Sequence, residues 1–279
     1  MTQTPKFSPE RLLGRASVLF AFLAAVAAVF LYGTRTSIFA DALPPPIGKV
    51  ALEQHAGVKM VLPRLAARFF QSHGLTVIAF GSSSTEGIGA SSPAHAYPAL
   101  LEEDLRRMLG PGVTVKVVNR GIGGEDADDM LVRLPKDVLS QKPDLVIWQT
   151  GTNDPLRKVP LARFMDETRQ GVRQMRGAGI EVMLMEPQDC RLMRNTPGAS
   201  GYREAVRAIG KEMGVPVIRR SDLMKAWLVE GTLTETQLMS PDGLHMADKG
   251  YARLAAEVAR EVMADAGLKS GFAAKAALY

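Results

Sequence analysis

From residue 75 onward the chain alternates short unbroken apolar runs with stretches whose apolar residues recur every three to four positions. The first run covers 75–80 and stops at Gly81; others follow at 113–118, 145–148, 180–185 and 215–218. Apolar runs of this length without polar alternation are the pattern of strands buried on both faces. Between them, Tyr97, Leu101, Leu105 and Met108 fall on one helical stripe. Phe164, Thr168, Val172 and Met175 form another, residues 205–213 a third, and Tyr251, Leu254, Ala255, Val258 and Val262 a last long one. A further helix is read around 223–228. Strands each followed by a helix require right-handed crossovers, so the pattern predicts an α/β fold: three layers, α/β/α, around a five-stranded parallel sheet. A lead-in helix to about Phe70 precedes it, with Val61, Leu65, Ala66 and Phe69 on one face and Pro63 as its weak point.

Upstream, the pattern changes. Residues 16–34 carry no charge and are apolar on every face, and their length is close to the roughly 20 residues that cross a bilayer as a helix. Lys6, Arg11 and Arg15 precede this run and Arg35 follows it. That bias puts the first residues in the cytoplasm and the bulk of the chain in the periplasm or outside the cell. The expected organisation is a cytoplasmic N-terminus (1–15), a transmembrane signal anchor (16–34), a linker and helical lead-in containing Pro44-Pro45-Pro46 (35–74), an α/β domain (75–266) and a C-terminal tail (267–279). A cleaved secretory signal is the competing reading. Ala40-Asp41-Ala42 offers a small-x-small site, but it lies well past the apolar run, with Arg35 between.

Composition narrows the chemistry. At 46% hydrophobic and 23% charged residues the chain can bury a core, which excludes disorder. Of the net charge of +5, the segment before residue 43 supplies two. The remaining cations are scattered, with no basic stripe for nucleic acid. The single cysteine, Cys190, allows neither an internal disulfide nor a Cys-based zinc cluster. His55, His73 and His95 show no paired ligand spacing and read as structural, and Met183 and Met185 read as core. No metal or cofactor is expected. Gly121, Gly123 and Gly124 resemble part of a dinucleotide loop, but the last glycine of that fingerprint would fall on Asp126.

In an open α/β sheet ligands bind beyond the carboxyl ends of the strands. There the chain carries Gly81-Ser82-Ser83-Ser84 after the first run, Asn119-Arg120-Gly121-Ile122-Gly123-Gly124 after the second, and Gly151-Thr152-Asn153-Asp154 after the third. Asp242-Gly243-Leu244-His245 stands just before the last helix. These segments hold a hydroxyl, unobstructed backbone N–H groups, a side-chain amide, and a histidine with a carboxylate three residues earlier. A serine hydroxyl needs a base to take its proton, and an imidazole, ordinarily titrating near about 6.5, can do so at neutral pH. A carboxylate on its other nitrogen fixes the tautomer, and N–H donors stabilise the oxyanion. Each segment alone has a plainer explanation, as a helix cap, a turn or a surface histidine.

Taken in this order, the four segments resemble the SGNH, or GDSL-type, serine hydrolase family over residues 75–266. The resemblance implies Ser83 as nucleophile, Asp242 and His245 as its triad partners, and an oxyanion hole of the Ser83 and Gly124 N–H groups and the Asn153 side chain. Ser82 departs from the family pattern, which carries aspartate there in a supporting role, and this puts the local loop geometry in question. The implied activity is serine esterase chemistry; the scarcity of chain for a lid and the envelope location point to short acyl esters, acetyl above all, with acetylated cell-envelope polysaccharide as the candidate substrate. An O-acyltransferase with the same triad, a lipase or thioesterase for longer chains, and a silent binding module are the alternatives. Little chain remains between Asn153 and Asp242 for a lid, so a shallow groove is expected. Gln188, Asp189, Arg191 and Arg194 beyond the fourth strand would give it a hydrogen-bonding rim.

Overall fold

The computed structural model describes residues 61–72 and 74–268, all within one compact unit. The expected anchor at 16–34, the linker, His55, His73 and the tail beyond 268 lie outside the described residues. Among the described residues no helix is long and apolar enough to cross a membrane.

Five parallel strands, β1 (Gly74–Gly81), β2 (Thr114–Gly121), β3 (Leu145–Gln149), β4 (Glu181–Met185) and β5 (Val217–Ile218), pair in the order β2-β1-β3-β4-β5. The helices are α1 (Pro63–Ser72), α2 (Ser83–Glu86), α3 (Tyr97–Leu109), α4 (Ala127–Asp137), α5 (Asn153–Leu156), α6 (Leu161–Gly177), α7 (Arg191–Asn195), α8 (Ala199–Met213), α9 (Arg220–Val229), α10 (Glu235–Leu238) and α11 (Asp248–Asp265). The chain steps from β1 outward to β2, then returns across β1 to build β3, β4 and β5 on the other side. The connections leaving β1 and β3 therefore part to opposite faces, opening a crevice between them at the carboxyl ends.

Alternate strand residues feed two cores. Val77, Ala79, Leu145, Ile147, Met183 and Met185 point to the face covered by α1, α3 and α11, where Leu65, Leu101, Leu105, Tyr251 and Leu254 are buried. Ile78, Phe80, Val146, Trp148, Val182 and Leu184 point to the face covered by α4, α6 and α8, with Met130, Phe164, Val172 and Val206. Each such aliphatic or Phe side chain, fully buried, contributes about 1.5–3 kcal/mol. This double burial is why the central strands are unbroken apolar runs.

The departures from the sequence reading occur at the edges. β2 runs on to Gly121 through polar Asn119 and Arg120, because Gly81↔Gly121 pairing continues the ladder and this edge strand is mostly solvated. β5 shrinks to Val217–Ile218, since Pro216 offers a carbonyl to Leu184 N–H but has no N–H of its own. Pro63 does not break α1; it is its first residue, where a missing N–H is harmless. α1 packs as part of the domain, with Leu62, Leu65 and Phe69 in the core and the Val61 and Leu62 N–H groups on Asp265 O at 2.9 Å. α4 is a helix that the sequence reading did not include, although Ala127, Met130, Leu131 and Leu134 stand at helical spacing. A capping box starts it, Asp126 accepting from Asp129 N–H at 3.1 Å and Asp129 from Asp126 N–H at 3.4 Å.

Candidate active site

Ser83 opens α2 immediately after β1, and the turn that presents it is held from beneath. The Thr85 and Glu86 N–H groups both donate to Ser82 O at 2.9 Å. Gln149, at the end of β3, uses its side-chain oxygen to accept from Ser82 N–H and from Thr85 Oγ1, each at 3.0 Å. The Ser82 hydroxyl is buried against the same amide, 3.1 Å from Nε2 and 3.2 Å from Oε1. Ser82 therefore ties the turn to β3 through Gln149. Gly121 lets α2 come this close: a Cβ there would sit 2.0 Å from Glu86 N and 2.5 Å from Thr85 C.

Ser83 remains half-exposed, whereas Ser84 is buried. Ser83 Oγ lies 2.8 Å from His245 Nε2, and His245 Nδ1 lies 2.7 Å from Asp242 Oδ2. The other Asp242 oxygen accepts from Ser240 Oγ at 2.7 Å, Leu244 N–H at 2.8 Å and His245 N–H at 2.9 Å. Partial burial acts to raise the Asp242 pKa. The hydrogen bonds from His245, Leu244 and Ser240 outweigh it and hold the carboxyl well below the usual carboxylate range. Asp242 is thus ionised at neutral pH. The backbone bonds to Leu244 and His245 also wind the loop so that the imidazole turns back onto its own carboxylate.

The second and third segments meet on the other side of Ser83. Gly123 lies against it, its missing Cβ falling 3.7 Å from Ser83 Cβ, and Gly124 takes φ +81°, open to a glycine without strain. Asn153 is buried and donates from Nδ2 to Glu125 O at 2.7 Å. An amide nitrogen carries two hydrogens, so one N–H remains to donate elsewhere. The neighbouring Asp154 accepts from Ala127 N–H at 3.1 Å. These two bonds fasten the Asn153 loop to the glycine loop. Burial pushes the Asp154 carboxyl up to about 6. Ser83 and Asn153 thus open short helices after β1 and β3, Gly124, Asp242 and His245 stand on loops, and Ser83, His245 and Asp242 form one hydrogen-bonded chain.

Gln188, which the sequence suggested only as a rim residue, and Arg220 and Gln149, which it did not point to, link the loops of the site. Gln188 is buried, not part of a solvated rim. It accepts from Thr152 Oγ1 at 3.1 Å and from Arg220 Nη2, and donates to Leu244 O at 3.3 Å. It therefore links the Asn153 loop to the His245 loop. Arg220 is fully buried and also donates from Nε to Glu186 O at 3.2 Å; burial pulls its pKa down to about 10, leaving it charged at neutral pH. Gln149 is the third. The only local signal for Gln149 is that it is a polar residue closing an apolar run. Asp189 is likewise buried, paired with Arg194 at 2.8 Å.

The remaining candidates take no part in the triad. Cys190 is buried against Met193 and Ala199, and burial raises its thiol pKa. His95 is exposed, 2.6 Å from Ser91 Oγ and 3.1 Å from Asp248. Among the described residues no group of three or more His, Cys, Asp or Glu side chains is arranged to hold a metal ion.

A family model, the Non-GDSL lipase-like family, matches residues 51–266. By sequence the chain is similar to Esterase TesA of Pseudomonas aeruginosa, 26% identical over 184 residues, covering 66% of this chain and 86% of that protein. It is also similar to an acetylxylan esterase of Geobacillus stearothermophilus, 33% identical over 87 residues, covering 31% and 39%. Among solved structures, the lipase/acylhydrolase from Enterococcus faecalis matches with a TM-score of 0.59 and 27% identity, covering 70% of this chain and 98% of that one.

Proposed function

Because the chain belongs to the Non-GDSL lipase-like family and is an SGNH-type carboxylic ester hydrolase, we propose that Ser83, His245 and Asp242 are its catalytic triad. We further propose that it removes short acyl groups, acetyl first among them, from carbohydrate at the cell envelope. One observation carries this reading: the unbroken chain from Ser83 Oγ through both imidazole nitrogens to an ionised Asp242, with steps of 2.8 and 2.7 Å.

His245 Nε2 accepts the Ser83 hydroxyl proton as Oγ attacks the ester carbonyl. The imidazolium so formed is stabilised by Asp242 through Nδ1–H. The carbonyl oxygen becomes an oxyanion, received by the N–H groups of Ser83 and Gly124 and the uncommitted N–H of Asn153. One such donor is worth about 2.7–4 kcal/mol of barrier. The C–O bond to the alcohol then breaks, and the alcohol leaves with the proton from His245. Water repeats the sequence on the acyl-enzyme: His245 takes its proton, the carboxylic acid is released, and Ser83 regains its hydrogen.

Two features support a short acyl group. The segment between Asn153 and Asp242 is spent on α5 to α10, β4 and β5, leaving no long insertion to enclose an alkyl chain. A relative sharing 33% identity over part of the chain is named an acetylxylan esterase. The envelope location rests on the uncharged run 16–34 and the cations before it. Nitrophenyl esters of increasing chain length test the reading. The expected kcat/KM is highest for acetate, with fluorophosphonate labelling lost in Ser83→Ala and retained in Ser84→Ala. A maximum at octanoate or beyond would reject the short-acyl reading, and labelling that depends on Ser84 would reject the triad. A reporter fused after Pro46 should behave as exported.

A further inference from the structure

Beyond the end of β4 lies a cleft of about 440 Å³, within the size range of small-ligand sites, that no step above uses. It adjoins the catalytic loops at two points. Pro187, on its wall, reaches to 3.2 Å from where a Gly151 Cβ would stand, two residues before Asn153. Gln188, also on the wall, holds Leu244 O beside His245.

The cleft is charged in one sense. Arg194, Arg203 and Lys225 line it, against the single carboxylate of Asp189. That carboxylate is set into the wall, its side chain 7% exposed, with Arg194 Nη1 at 2.8 Å and Lys225 Nζ at 3.9 Å. Both cations stay about half-exposed. Asp189 can neutralise only one of them, and it fixes where both stand. Arg203 meets Glu204 at 3.4 Å, a carboxylate 60% exposed that does not line the cleft. Within the cleft three cations thus face one anion, in a concave site where low-dielectric walls strengthen the field.

We propose that this cleft is a subsite for an anionic group, carboxylate or phosphate, carried on the alcohol portion of the ester. The inference rests on the ester-hydrolysis reading above and adds the alcohol's charge to it. On that reading the acyl group is short, which leaves the alcohol portion as the part of the ester large enough to reach a cleft bordering the Asn153 and His245 loops. Planar guanidinium forks at Arg194 and Arg203 suit two-oxygen anions, and Lys225 adds a point charge.

Matched ester pairs test this with the full chain: an acetylated methyl glucuronide against the corresponding acetylated methyl glucoside, and acetylglycerol phosphate against monoacetylglycerol. At least one anionic member should exceed its neutral partner about tenfold or more in kcat/KM, the scale of one charge-assisted hydrogen bond. The pair with the larger ratio says whether the anion is a carboxylate or a phosphate. In Arg203→Gln/Lys225→Gln that ratio should fall toward one, and in the wild type it should shrink as salt rises from about 50 to about 500 mM. Arg194 is left in place because its loss would strand the buried Asp189 carboxylate. Calorimetric binding of the better anionic ester to Ser83→Ala, weakened by the same two substitutions, reads the subsite without turnover. Equal rates for both members of both pairs, or a preference that survives the double substitution, would overturn the proposal while leaving ester hydrolysis standing. Failure to turn over nitrophenyl acetate would instead strike the hydrolytic reading, with the binding arm still judging the cleft.

Discussion

Asp154 is a carboxyl group that the fold keeps out of water next to the site, and its titration should be visible as stability. The residue is fully buried, Oδ1 accepts from Ala127 N–H at 3.1 Å, and Oδ2 has no hydrogen-bond partner. Burial pushes its pKa from the ordinary 3.8 up to about 6, with Asp126 and Glu167 adding repulsion and the Ala127 N–H working the other way. Between those two values the folded protein keeps a proton that the unfolded chain has released. Stability must therefore fall as pH rises from about 4 to about 6, and stay at the lower level above that. The difference between 3.8 and about 6, at about 1.36 kcal/mol per tenfold change in proton affinity, makes the loss about 3 kcal/mol.

Asp154→Asn removes this titration while keeping the side chain's shape and its acceptor for Ala127. Urea unfolding of both proteins, at fixed ionic strength from about pH 4 to about pH 8, measures the difference. The variant should be equal to or slightly weaker than the wild type at the acid end. It should gain on the wild type by about 3 kcal/mol by neutral pH, with the change concentrated between about 4 and about 6. A difference between the two proteins that does not vary with pH would refute the argument, because it would mean that Asp154 titrates alike in the folded and unfolded states.

Five further substitutions, at four positions, probe how the site is held. Asp242→Asn should leave the melting temperature nearly unchanged but lower kcat by about four orders of magnitude, since the imidazole loses the partner that sets its tautomer; a modest loss in a steady-state assay would remove Asp242 from the triad. Gly121→Ala should destabilise the fold and abolish activity together, because its Cβ meets backbone atoms of α2 at 2.0 and 2.5 Å, whereas Gly177→Ala, which meets nothing within 4 Å, should be neutral or slightly stabilising in thermal melts. Gln188→Leu should cost about 1–3 kcal/mol in unfolding free energy by stripping Arg220 of an acceptor. Gln188→Glu keeps that acceptor but cannot donate to Leu244 O, so it should retain stability and still lower kcat.

What the sequence made legible follows from burial. β1, β3 and β4 are central strands covered on both faces, so their whole length had to be apolar, and 75–80 and 145–148 fall inside the observed strands. The edge strands were under no such demand, and β2 hid its last three residues behind Asn119 and Arg120. α4 sets Ala127, Met130, Leu131 and Leu134 at helical spacing against the core, but Pro135 stands within it, the residue that ordinarily interrupts a helix. The candidate catalytic residues were visible for a different reason: Ser83, Gly124 and Asn153 lie just beyond apolar strands, and Asp242 and His245 stand three residues apart before the last helix.

The residues that set the site's geometry had no such mark. Arg219 and Arg220 are adjacent and identical in kind, yet the first is 59% exposed on the surface and the second is completely buried. Nothing within a few positions of either distinguishes them; the difference lies in Glu186 and Gln188, more than thirty residues earlier. Gln149 likewise works on Ser82 and Thr85, 67 and 64 positions away. Local patterning reports which segments are buried and where reactive groups can be displayed. The relative placement of those groups is carried by buried polar side chains whose partners are remote in sequence, and a buried polar group is tolerated only where such partners exist. It follows that the half-ångström placement the candidate triad needs rests here on Gln149, Gln188 and Arg220.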